Sequence, residues 1–138
     1  MLNGIGMVEF ISASTAAVVN VELGFVPDFA ILIANHGATN PDWFVWANVG
    51  QFPGWAAALT EKVTGSTGVI TRDTTGMSVY AGADTVAADE TDNTAGKHVD
   101  KNGAASLAGH ITAPGLTVPA DHQANSGRNI LFAFARNQ

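Results

Sequence analysis

The chain has 138 residues and a formal net charge of −6, with 46% hydrophobic and only 13% charged residues. This charged share is about half that of an ordinary soluble domain, so we expect part of the surface to be covered by other protein. Six Lys and Arg residues, scattered along an acidic chain, exclude nucleic-acid binding through phosphate neutralisation. The absence of cysteine excludes disulfides, zinc–cysteine sites and thiol catalysis.

The length and hydropathy of the chain predict one soluble domain, residues 1–138. Its first residues, MLNGIGMVEF, lack the basic and apolar regions of a signal peptide. No segment reaches the ~20 apolar residues that span a bilayer. We therefore expect a protein of the cytoplasm, or of a particle assembled there, without a membrane partner.

Two strands are predicted before residue 24. Residues 5–12 alternate so that one face is largely apolar, and residues 19–23 follow a clean period of two. A helix over residues 13–22 is the alternative. The β-branched Val18, Val19 and Val21 favour the strand, because their χ1 angles are restricted in a helix.

A central hairpin is predicted from residues 23–49. Pro27 disfavours a helix that continues from upstream, and the apolar run FAILIA at 29–34 is typical of a strand buried on both faces. The aromatic and β-branched run WFVW at 43–46 suits a second strand. Since only a polar loop separates the runs, they are predicted to pair antiparallel at the centre of a sheet.

The middle of the chain alternates turns with short strands. Residues 55–63 fit either one or two helical turns or an irregular connection, because Ala and Leu favour helices. Short strands are predicted at 69–71 and 77–81. Residues 84–105 are polar and rich in charge, so a protruding loop or arm is predicted there.

The last third returns to strands, at 116–118 and 129–136. Both faces of residues 129–136 are apolar, which predicts a strand inside a sheet. Short strands separated by turns about every ten residues indicate an all-β fold. We expect a single-domain β-sandwich, or a jelly-roll-like barrel, of about eight antiparallel strands.

The polar residues predict no catalytic, cofactor-binding or metal site. The histidines lack metal-ligand spacing and are interpreted as loop residues that contact solvent or a partner: His36, His98, His110 and His122. The acidic run at 89–93 departs from a calcium-loop pattern and is interpreted as solvated.

Two carboxylates flank the predicted hairpin. Asp28 and Asp42 could form a pair of the glycosidase type if they faced each other across a cleft. Their positions beside Pro27 and Pro41 favour a capping role instead, in which each side chain accepts backbone N–H bonds.

The aromatic residues are the strongest candidates for contact with another molecule. Three tryptophans fit either sugar stacking or packing in the core or a subunit interface, and apolar neighbours favour packing. The predicted interface residues are Trp43, Phe44, Trp46, Phe52, Trp55 and His98.

Two stretches resemble a family. The first is G-F-x-P-D-F-A-x-L-x-A-N at 24–35, followed by WFVW at 43–46; the second is GLTVPAD at 115–121, N-x-G at 125–127 and a strand that ends Ala135-Arg136. Together they cover about half the chain and resemble small virion proteins of tailed bacteriophages, in which a G-F-x-P turn leads into a strand.

This resemblance implies a non-enzymatic structural protein of the virion. The role it favours is capsid decoration, or cementing, at the capsid surface, with the major capsid protein as partner and no cofactor. It also implies a homo-oligomer, for which a trimer is expected by analogy. A tail, fibre or baseplate component is one alternative, and a carbohydrate-binding module that uses the tryptophans is another.

Overall fold

A computed structural model describes residues 2–12, 18–34, 41–48, 59–65, 67–73, 76–80, 98–99, 114–123 and 125–136. Its strands are β1 (Leu2–Ile11), β2 (Val19–Glu22), β3 (Phe29–Ala34), β4 (Asp42–Ala47), β5 (Leu59–Val63), β6 (Ile70–Asp73), β7 (Ser78–Tyr80), β8 (His98–Val99), β9 (Gly115–Val118) and β10 (Arg128–Arg136). A short 3-10 turn at Ala120–His122 precedes the last strand. No helix in this part of the chain is long and apolar enough to cross a membrane.

The strands form two sheets. The six-stranded sheet has the order β1-β10-β3-β4-β5-β6, with every neighbouring pair antiparallel. The four-stranded sheet has the order β7-β9-β2-β8, and its β2–β8 pair is parallel. The predicted all-β sandwich is confirmed, although the described strands number ten and one pair is parallel.

One hydrophobic core lies between the sheets. Alternate residues of β1, β2, β3, β4 and β10 point into it, as a period of two requires. Its largest buried apolar side chains come from both sheets: Trp46, Phe10, Phe44, Leu32, Leu116, Leu131, Val19, Val21 and Val99. Leu23 and Phe25, on the chain between β2 and β3, pack against this core.

The predicted central hairpin is confirmed. β3 and β4 pair antiparallel in the middle of the six-stranded sheet, with Ala30 opposite Trp46 and Leu32 opposite Phe44. The prediction that residues 29–34 are buried on both faces is wrong. Ala30, Leu32 and Ala34 are buried, but Phe29, Ile31 and Ile33 keep solvent contact because no second layer of described residues covers that face.

Two further predictions need correction. A helical turn at 55–63 is wrong for residues 59–63, which form β5; pairing with β4 outweighs the helix propensity of Leu, Glu and Lys. Within the predicted arm at 84–105, His98 and Val99 form β8 and Val99 is buried against β2. The rest of that segment lies outside the described residues.

The side chains of Asp28 and Asp42 accept backbone N–H bonds, as predicted, but these two donors come from distant segments and not from the turns beside the prolines. Oδ2 of Asp28 accepts a 2.8 Å hydrogen bond from the backbone N–H of Arg136, and Oδ1 of Asp42 accepts one of 2.9 Å from Gly65. Asp28 therefore joins the start of β3 to the end of β10. Gly24, which precedes β3, has φ +80°, a conformation that favours glycine.

Candidate functional site

The outer face of the six-stranded sheet, turned away from the core, carries mostly apolar side chains. The strand register places most of them in three rows across the sheet, with Ile11 opposite Arg128 in a fourth. We call this surface the apolar face, and its residues are Ile5, Met7, Ile11, Phe29, Ile31, Ile33, Trp43, Val45, Val63, Ile70, Ile130, Phe132 and Phe134.

Side chains on the apolar face lie beside their cross-strand neighbours in the strand register and remain open to solvent. Ile5, Met7, Ile11 and Ile70, on the two edge strands, are 59% to 69% exposed, and Trp43 on β4 is 44% exposed. The inner strands β3 and β10 contribute partly buried aromatic rings, of which Phe29 and Phe134 lie 6.1 Å apart between centroids. Such continuity distinguishes this surface from the scattered exposed apolar residues of ordinary monomers.

The dimensions of the apolar face follow from sheet geometry. Adjacent strands lie about 4.8 Å apart and each residue adds about 3.3 Å, so the face measures roughly 24 by 20 Å. A sheet surface of this size suits contact with another protein better than enclosure of a small ligand.

Charged residues also occur on the apolar face. Glu61 occupies its middle row, between Val45 of β4 and Arg72 of β6 in the strand register, and two ion pairs lie at the two ends of β10. Nε of Arg128 lies 2.7 Å from Oε1 of Glu9, and Nε of Arg136 lies 3.9 Å from Oδ2 of Asp28. These pairs cancel, although the whole chain carries −6. The apolar face therefore presents little net field to an approaching partner.

The outer face of the four-stranded sheet differs from the apolar face. Asn20, Thr117 and Ser78 occupy one row across β2, β9 and β7. The hydroxyl of Thr117 donates a 2.7 Å hydrogen bond to Oδ1 of Asn20. This row is polar, although Asn20 in it is only 7% exposed, so the two outer faces differ in their chemistry.

A buried polar network joins β1, the 3-10 turn and β10. The Ser12 hydroxyl donates to Oε1 of Gln123 at 2.9 Å and accepts from Nδ2 of Asn129 at 2.8 Å. Nε2 of Gln123 donates to the carbonyl oxygens of Val118 and Pro119. Because the Ser12 O–H donates to an amide oxygen rather than a base, this network fixes loops and does not activate a nucleophile.

His122 is buried, which corrects its interpretation as a loop histidine in contact with solvent or a partner. Its ring stacks on Phe44, with centroids 4.0 Å apart and planes 13° apart, and Nδ1 hydrogen-bonds to Oδ1 of Asp121 at 3.0 Å. The 3-10 turn folds this side chain inward. Across the described ranges, no three His, Cys, Asp or Glu side chains are grouped as metal ligands would be.

The predicted interface residues that the structure describes do not form one surface. Trp43 lies on the apolar face, whereas Phe44 and Trp46 alternate with it and are buried in the core. His98 lies in β8, beside Asn20 of the four-stranded sheet. Phe52 and Trp55, like His36 and His110, lie outside the described residues.

Sequence reasoning missed most of the apolar face. Its signal was present, because β10 reads as apolar on both sides, but that pattern also describes a strand covered on both sides. In β1, Met7 and Ile11 alternate with Val8 and Phe10, so the same ambiguity applies.

No family model, curated protein or solved structure matches this chain.

Proposed function

We propose that this chain is a structural protein of a bacteriophage virion, which decorates the capsid by binding between subunits of the major capsid protein. The observation that supports this most is the apolar face, a surface of aliphatic and aromatic side chains with paired charges at its ends, which water solvates poorly. We infer that a protein with this surface functions in contact with another protein that covers it. The resemblance at residues 24–35 and 115–136 supplies the class of partner.

The extent of the apolar face suits a protein–protein contact. Its projected area is on the order of 500 Å², a large part of the ~800 Å² that each partner buries in a standard interface. Burial of that projected area gives roughly 12 kcal/mol of gross driving force, most of which is offset by the cost of association. Several copies on one shell would gain further through avidity.

The test is co-sedimentation of the purified protein with capsids that lack tails. We expect the wild-type chain to sediment with these heads and the Ile70→Lys variant to remain in the supernatant, because a desolvated lysine would oppose docking. Ser78→Lys is the matched control, since Ser78 is exposed on the polar outer row of the other sheet, and it should sediment as the wild type does.

Two other outcomes would replace this proposal. Sedimentation with isolated tails, but not with heads, would indicate a tail, fibre or baseplate component. A change in tryptophan fluorescence with oligosaccharides, lost in Trp43→Ala, would indicate a carbohydrate-binding module that uses the exposed indole.

A further inference from the structure

The four sheet edges differ greatly in length. β1 and β6 end the six-stranded sheet, and β7 and β8 end the four-stranded sheet. β1 has 10 residues, whereas β6, β7 and β8 have 4, 3 and 2. Because an unpaired edge presents a row of N–H and C=O groups to any other strand, the edge of β1 offers by far the longest template.

β1 also lacks the features that protect natural edge strands. It contains no proline or lysine, and its one irregularity lies at its start, between Leu2 and Gly4. Its single charge, Glu9, is bound by Arg128 of the neighbouring strand. Among the described residues, backbone hydrogen bonds of β1 run only to β10.

We propose that β1 pairs with β1 of a second copy of this chain, antiparallel and about a two-fold axis. Two identical strands that run antiparallel are related by such an axis, so the contact closes after two copies. The axis is perpendicular to the sheet and keeps both apolar faces on the same side. The two six-stranded sheets then form one continuous sheet with one continuous apolar face.

The side chains of β1 select a register. Outward-facing residues must lie opposite outward-facing residues, and a register centred on Met7 includes all three exposed apolar side chains, Ile5, Met7 and Ile11. It places Glu9 of each copy opposite Ile5 of the other. The two carboxylates therefore avoid the like-charge pairing that destabilises directly opposed residues.

A second copy fits this edge better than an unrelated strand. The chain carries a net charge of −6, so two copies repel each other where acidic surfaces meet. The edge of β1 avoids this repulsion, because its only carboxylate, Glu9, is paired with Arg128. In this register Met7 faces its own copy across the axis, with the exposed Ile5 two residues away on each strand, and cross-strand apolar pairs stabilise a sheet. This pairing does not depend on what the joined apolar face binds.

The test is the oligomeric state of the purified chain, measured by analytical ultracentrifugation without capsids. We expect a dimer for the wild type and a dimer dissociation constant raised at least about tenfold in Met7→Lys, because lysine on an edge opposes strand pairing. Ile70→Lys is the matched control: it lies on the same apolar face and is equally exposed, but on the opposite edge strand. It should remain a dimer.

A cysteine introduced at Met7 gives a second measurement. The chain has no native cysteine, and directly opposed residues of an antiparallel pair lie within disulfide range. Met7→Cys should therefore form a covalent dimer under mild oxidation, and Ile70→Cys should not. These readouts use buffer alone, so a dimer that fails to bind capsids would overturn the proposed function and leave the pairing supported.

Three results would overturn the pairing. A wild-type chain that stays monomeric at high concentration excludes it, and so does a trimer, the state expected by analogy. A dimer that Ile70→Lys dissociates as strongly as Met7→Lys would show that the apolar faces meet each other instead.

Discussion

The two sheets of this protein share one core but differ on their outer sides. The four-stranded sheet turns Asn20, Thr117 and Ser78 outward, and the first two are hydrogen-bonded to each other. The six-stranded sheet turns isoleucine, phenylalanine and tryptophan outward. An antiparallel sheet with one wet face alternates apolar and polar residues; the polar row of the first sheet follows that pattern, and the apolar face of the second does not.

The largest test of this comparison uses two tryptophans of β4. Trp46 is fully buried and Trp43 is 44% exposed on the apolar face. We expect Trp46→Ala to lower the free energy of unfolding by about 3–5 kcal/mol, through lost burial and the cavity left behind. Trp43→Ala should lower the free energy of unfolding by well under half of that amount. Urea denaturation at one fixed protein concentration measures both, and equal losses would mean that Trp43 is covered too.

A second test compares polar groups on the two sheets. Asn129 is fully buried, and its Nδ2 donates to the Ser12 hydroxyl and to the carbonyl oxygen of Gly127. Asn129→Ala should cost about 1–3 kcal/mol, because buried acceptors lose their donor. Thr117→Ala, which removes a partly buried bond on the polar outer row, should cost about 1 kcal/mol or less. The opposite ranking would place the polar row inside a hidden interface.

A third test concerns the inner side of β1. A Cβ added at Gly4 would lie 2.7 Å from Cγ of Phe25, whereas one at Gly6 would lie 3.2 Å from Cδ2 of Leu23. Gly4→Ala should therefore cost about 1–3 kcal/mol by overpacking, and Gly6→Ala less, since the end of a leucine side chain moves easily. Thermal unfolding of both variants checks the order. A neutral Gly4→Ala would mean that β1 is not held against Phe25.

The sequence predicted the strands more completely than the exposure of their faces. β3, β4 and β10 are identified by their own residues, because apolar runs bounded by Pro27, by polar loops or by glycine have few alternatives to a strand. β5 was not identified from its own residues, because Leu59 to Val63 includes good helix formers. This segment becomes a strand only through pairing with β4. Local propensity gives way to tertiary pairing at such positions.

Exposure of the apolar face was not predictable, because a run of residues cannot show how many layers cover it. Ile31 and Ile33 read as buried, yet only the inner side of β3 meets the four-stranded sheet. His122 shows the reverse case: it reads as a loop residue and is buried by stacking on Phe44. In both cases the missing information is the arrangement of distant segments.

The smallest expected effect concerns the one acidic side chain among the apolar residues of β1. Glu9 and Arg128 form a close ion pair, but their side chains are 52% and 65% exposed, and exposed pairs contribute little because water and salt screen them. Glu9→Gln should change the free energy of unfolding by about 0.5 kcal/mol or less, with a difference that shrinks further in high salt. Denaturation at low and high ionic strength measures it, with Arg128→Gln as the matched variant. A loss well above 1 kcal/mol that salt does not reduce would mean that water is kept from the pair, and hence that this end of the apolar face is covered even in the free protein.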